Sequence, residues 1–216
     1  MSTPDWRLAS LETIRLRFCA DPIQAASCSP NRVSDAVDQV IASMAVDGTW
    51  EDIVYRCDEL RAWRAMTHLT RLEMLTDAWH CDSSPRKGDA RILAAILRGV
   101  DGWFEKDPQS ANWWWNQFGG PMSLGEILLR LKPVIDRELL ERAVPHFRRL
   151  EPAFRFTGQN LMWAASVLIR HGVLLNEPGI VSQGCQLFGN EVRIFAGEEG
   201  IPPDMSFHQH GKVPYS

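Results

Sequence analysis

From Ile53 to Trp79, apolar side chains return every three or four residues: Ile53, Cys57, Leu60, Trp63, Met66, Leu69, Leu72, Leu75 and Trp79. That spacing lines one face of an α-helix. The same beat runs through Ile92, Leu93, Ile96, Leu97, Val100, Trp103 and Phe104. It continues in Leu124, Ile127, Leu128 and Leu131, and again in Leu139, Leu140, Ala143, Val144 and Phe147. Further helices are predicted over 4–19, 33–45, 158–171 and 178–193, with Asn31 as a candidate cap for the second. The breaks at 81–89, 106–112, 118–121 and 150–158 each contain a proline and are too short for interdomain linkers. Convincing β alternation is absent, and no fixed period marks a solenoid. The expectation is all-α: one domain over residues 1–216, with short connections that pack chain neighbours as antiparallel pairs.

Composition narrows the function classes. Of 216 residues, 45% are hydrophobic and 23% charged, an ordinary folded balance. A net charge of −4 leaves no basic footprint for nucleic acid, although a local basic cleft can still take an anion. No apolar run is long enough to span a membrane, and the first residues lack the basic and apolar regions of a signal peptide. The five cysteines are scattered and never form a CxxC pair, which argues against a disulfide framework or structural zinc. They are expected to be small buried side chains.

Against this background four stretches carry candidate chemistry. In ANWWWNQFGGP, residues 111–121, successive helical side chains turn by about 100°, so Trp113, Trp114 and Trp115 cannot all face one core. An exposed indole suits a sugar ring; the alternative places all three between helix layers. In RFTGQNLMW, residues 155–163, Thr157 reads as an N-cap and puts Asn160 in the first turn. There an amide, free N–H groups and the helix dipole favour a carboxylate, unless Asn160 only helps cap its own helix. DGTWEDIVY, residues 47–55, reads as a structural turn with Trp50 as anchor. Finally, in IPPDMSFHQHGKVPYS, residues 201–216, His208 and His210 are a weak metal pair. A histidine near a tyrosine on a Gly- and Pro-bounded loop is better suited to acid–base work.

In order, these stretches resemble polysaccharide lyase family 8, the hyaluronate, chondroitin and xanthan lyases. Its patterns N-W-W, T-G-x-N and D-G-S-F-x-Q-H correspond to Asn112-Trp113-Trp114, Thr157-Gly158-Gln159-Asn160 and the run Asp204 to His210. Gly48-Thr49-Trp50-Glu51-Asp52-Ile53 resembles the family's early G-x-W-x-D-I segment. The resemblance implies an incomplete α/α toroid of helical hairpins and β-elimination at a uronic acid; no cofactor and no metal ligands are nominated. It implies that Asn160 neutralises the uronate carboxylate and that His210 acts in proton transfer with a tyrosine. It also implies that Asn112, Trp113, Trp114 and Phe154 seat an acidic polysaccharide outside the cell or in the periplasm.

Two departures stand out. Met205 replaces the pattern's glycine, and the chain ends at Tyr215-Ser216 before a G-x-Y-G segment, leaving Tyr215 as the tyrosine near His210. The chain thus reads as a fragment whose unburied helix faces favour self-association. A non-catalytic acidic-glycan-binding module and a plain helical scaffold are the alternatives. A glycoside hydrolase would need two carboxylic acids, for which Asp204 and Glu126 are the nominal pair.

Overall fold

The computed structural model describes residues 11–19, 30–56, 60, 62–150 and 156–193. Eight α-helices follow one another among them: α1 (Leu11–Cys19), α2 (Pro30–Ala42), α3 (Met66–His80), α4 (Ala90–Lys106), α5 (Gly120–Leu131), α6 (Arg137–Arg148), α7 (Gly158–Leu175) and α8 (Pro178–Arg193). A π-helical turn, Trp115–Gly119, leads into α5. No strand occurs among the described residues. The all-α expectation holds.

Local chemistry sets several boundaries. Asp89 starts α4 by accepting a hydrogen bond from the Arg91 backbone N–H at 2.8 Å, and Asp136 starts α6 by accepting from Leu139 at 2.9 Å. Asn176, in the left-handed region at φ 56°, closes α7, and the short link through Glu177 turns the chain back into α8. The two form a tightly packed hairpin, while α3 packs on α4 and α5, and α5 on α7. Leu69, Leu72 and Leu75 of α3 are fully buried with Ile92, Ile96 and Val100 of α4 and Leu124, Ile127 and Leu128 of α5. Each such side chain contributes about 1.5–3 kcal/mol when removed from water.

The structure corrects two expectations. The long periodic run does not form one helix from Ile53, because α3 starts only at Met66. Ile53 and Trp63 are buried, but they reach the core from turns. Gly48 explains that detour: its φ is +77°, and a Cβ there would lie 1.9 Å from the Arg98 carbonyl oxygen. The Asp47-Gly48 turn is pressed against α4. Asn31 sits inside α2 rather than before it. Of the predicted helix over 4–19, residues 11–19 are described and helical.

Two polar assemblies tie the layers together. The Tyr55 hydroxyl accepts from the Trp50 backbone N–H at 3.1 Å and donates to His68 Nδ1 at 2.8 Å. His68 Nε2 donates in turn to the Gly99 carbonyl at 2.8 Å. Every polar atom of this buried chain is satisfied, so it is structural. Burial pushes the His68 pKa down to about 4. Between α5 and α7, Glu126 pairs with Arg130 at 2.9 Å and with Arg170 at 3.1 Å, and Arg170 lies over the Phe18 ring of α1.

Candidate functional site

The tryptophan run is held from both sides. Asn116 Nδ2 donates to the Ser110 carbonyl and its Oδ1 accepts from the Ser110 N–H, both at 2.8 Å. Asn112 Oδ1 accepts from the Trp114 N–H at 3.0 Å, and its Nδ2 donates to the Leu60 carbonyl at 3.0 Å. Both ends of the Asn112 amide are therefore engaged within the chain. The π-turn that follows, closed by the Gly120 N–H on the Trp115 carbonyl, is wider than an α-turn and changes the angle between successive side chains. Gly119 makes room for it: a Cβ there would lie 2.5 Å from the Trp115 ring and 2.7 Å from that of Trp114.

The three indoles point three ways. Trp115 turns inward to Trp63, which packs edge-on against the buried Trp103. Trp114 is half-buried, with Trp163 of α7 edge-on at 5.1 Å and 82°. Trp113 stays 45% exposed, stacked parallel on Phe156 with ring centroids 5.8 Å apart. One indole face is thus backed by an aromatic ring and the other is open.

Phe156 and Trp163 flank Asn160 in sequence, so Trp113 and Trp114 contact the chain on either side of that residue. Asn160 is only 7% exposed, and its Oδ1 has no hydrogen-bond partner among the described residues. Rotating the amide by 180° would place its NH2 there instead. Trp114 Nε1 and Gln117 Oε1 are likewise buried without partners. Orphaned buried polar atoms are uncommon in native folds, and three of them lie on the two segments that meet here.

Thr157 occupies the N-cap position of α7 with extended backbone, but its side chain makes no capping bond. The capping role passes to Glu191 of α8, whose buried carboxylate accepts from the Gly158 N–H at 2.5 Å. An anionic oxygen there suits the positive end of the helix dipole. The expected open N-terminus is thus already engaged at one of its N–H groups by the chain's own carboxylate.

Beside Trp113 opens a cleft of about 620 Å³, within the range of small-molecule sites. Gln109, Asn116 and Gln117 line it from the tryptophan side, and Pro145, Arg148 and Arg149 from the end of α6. Arg149 is ion-paired with Asp107, which Gln109 Nε2 also approaches at 3.3 Å. His146, stacked on Phe104 with Nδ1 3.7 Å from Asp107, has its pKa pushed down to about 4 by burial. Arg148 has no ion pair or hydrogen bond among the described residues.

Phe154, Asp204, His208, His210 and Tyr215 lie outside the described residues. Glu126, the other nominal hydrolase carboxylate, is clamped between Arg130 and Arg170. Among the described residues no three His, Cys, Asp or Glu side chains cluster as metal ligands, and no helix is long and apolar enough to cross a membrane. Sequence reasoning missed Phe156, Gln117, Arg148 and Glu191. Only the position of Phe156, one residue before the T-G-x-N run, offered a local signal.

The profile described as polysaccharide lyase family 8, N-terminal alpha-helical domain, matches residues 23–216. The chain belongs to that family. Chondroitinase-AC of Pedobacter heparinus is 29% identical over 186 residues, covering 84% of this chain and 26% of that enzyme. A chondroitinase AC lyase solved in enzyme–oligosaccharide complexes superposes with a TM-score of 0.80 at 24% identity, over 94% of this chain and 30% of that one. A Paenibacillus xanthan lyase gives 0.76 at 21% identity, over 97% and 22%. At such identities the structural likeness speaks for the fold, an incomplete α/α toroid. The chain spans about a quarter of the curated relative's length.

Proposed function

We propose that this chain is the N-terminal helical part of a lyase that cleaves a uronic-acid-containing polysaccharide by β-elimination. The observation that carries this reading is the buried Asn160 amide, whose Oδ1 has no partner among the described residues, held between two residues that the Trp113–Trp114 pair touches. A uronate stacked near the open face of Trp113 brings its carboxylate toward that amide. Hydrogen bonding to the carboxylate offsets its charge and makes the adjacent C5–H more acidic. A preorganised donor of this kind is worth roughly 3–4 kcal/mol in the transition state.

The base takes the C5 proton, the freed electron pair forms the C4=C5 double bond, and the C4–O glycosidic bond breaks. The departing oxygen takes a proton from the acid. No water is consumed. His210 and a tyrosine, Tyr215 being the one at hand, are the proposed proton carriers, each supplying about 10²–10⁴-fold. Asn112, with both amide ends engaged, acts by holding Trp114 and the segment at Leu60 in place.

A second reading, a module that seats an acidic glycan without turnover, rests on the exposed Trp113 indole alone. Ultraviolet absorbance of the chain mixed with hyaluronan, chondroitin sulfate or xanthan separates the two. The conjugated product absorbs, its appearance names the substrate, and Asn160→Ala should abolish it. Binding without absorbance would leave the module reading standing.

A further inference from the structure

The cleft beside Trp113 contains two arginines in different states. Arg149 is neutralised by Asp107, and the amide of Asn116 is spent on Ser110. That leaves Arg148, exposed and unpaired among the described residues, as the cation facing the cleft, with Gln117 beside it in the π-turn. Pro145 forms part of the same wall. A sugar on the indole would therefore have a neighbour facing a guanidinium that is unpaired among the described residues, at a different place from Asn160 on α7.

Resting on the reading above, we propose that Arg148 forms an anion-recognising subsite of the Trp113 cleft. It binds the carboxylate or sulfate of the sugar next to the one stacked on the indole. Asn160 then serves the uronate that reacts, and Arg148 selects polymers that carry a second negative group along the chain. The planar guanidinium suits either anion, because both present two oxygens to its fork.

The test uses the chain as it stands, with calorimetric Kd values for four chondroitin tetrasaccharides: sulfated, unsulfated, carboxyl-reduced sulfated, and carboxyl-reduced unsulfated. Arg148→Gln should weaken binding of the charged ligands about tenfold and leave the neutral one unchanged. Arg148→Lys should recover part of the loss, and added salt should narrow the difference between Arg148→Gln and the unsubstituted chain. A loss that follows sulfate assigns the subsite to sulfate, and one that follows carboxylate assigns it to the uronate. Unchanged affinity for all four in Arg148→Gln, while Trp113→Ala binds weakly, overturns the subsite and spares the platform. Trp113→Ala binding as tightly as the unsubstituted chain overturns the platform itself, and no binding by the unsubstituted chain overturns both.

Discussion

The indole of Trp113 lies parallel to the ring of Phe156, 9° between planes and 5.8 Å between centroids. Through this contact the helical turn that opens at Trp113 is fixed to the start of the helix that carries Asn160. Aromatic pairs of this geometry are worth about 0.5–1.5 kcal/mol beyond the area they bury. Phe156→Leu should therefore weaken oligosaccharide binding several-fold while leaving the fold intact. Tryptophan fluorescence during a chondroitin titration reads both effects, and an unchanged Kd would mean that the open indole face needs no backing.

Acid should destabilise the protein earlier than its surface carboxylates require. The pKa of His68 is about 4 in the folded state, against 6.5 for an ordinary histidine. The unfolded chain binds the proton first, so the stabilisation is fully present above about pH 6.5 and is lost as pH falls toward 4. His146 contributes in the same direction over the same window. Thermal midpoints should fall steadily from pH 7 to 5, and His68→Gln should flatten that slope. An equally steep slope in the variant would remove His68 from the account.

Glu126 neutralises two arginines at once, Arg130 and Arg170. Glu126→Ala leaves the largely buried Arg170 without its carboxylate and Arg130 with only Asp77 at 3.6 Å, and should cost about 3–5 kcal/mol. Urea denaturation measures this directly. A loss below 1 kcal/mol would show that water reaches the arginines.

Gly48→Ala forces a side chain into a positive-φ turn and onto the Arg98 carbonyl. The expected loss is at least about 2 kcal/mol. Gly88→Ala is the control, since its φ is also positive but a Cβ there meets nothing within 4 Å. Similar midpoints for the two variants would make the close approach irrelevant.

The helices were legible because their signal is local: Leu69, Leu72 and Leu75 state their periodicity within one turn of each other. The stretch from Ile53 to Trp63 misled for the same reason, since its apolar residues serve the core from turns and only the pressed Asp47-Gly48 corner explains why. Three adjacent tryptophans correctly implied divergent directions, yet which one remains open depends on a π-turn that no spacing rule encodes. The start of α7 at Thr157-Gly158 was legible in the pattern. The carboxylate that caps it, Glu191, was not, because Gly158 and Glu191 are joined by folding rather than by neighbourhood. Arg148 looks like any helix-end arginine until Arg149 is seen to be taken by Asp107.

Glu191→Gln should lengthen or loosen the bond to the Gly158 N–H and speed amide exchange through the first turn of α7. The expected change is about 1 kcal/mol of local stability. Hydrogen exchange followed by NMR at residues 158–161 would register it, and exchange unchanged from the unsubstituted chain would assign the cap elsewhere.

That carboxylate lies 33 residues downstream of the peptide it holds. As the chain leaves the ribosome, the tryptophan shelf can assemble while the first turn of α7 still lacks its clasp, for the clasp has yet to be translated. The aromatic platform is thus available before the first turn of α7 is fixed.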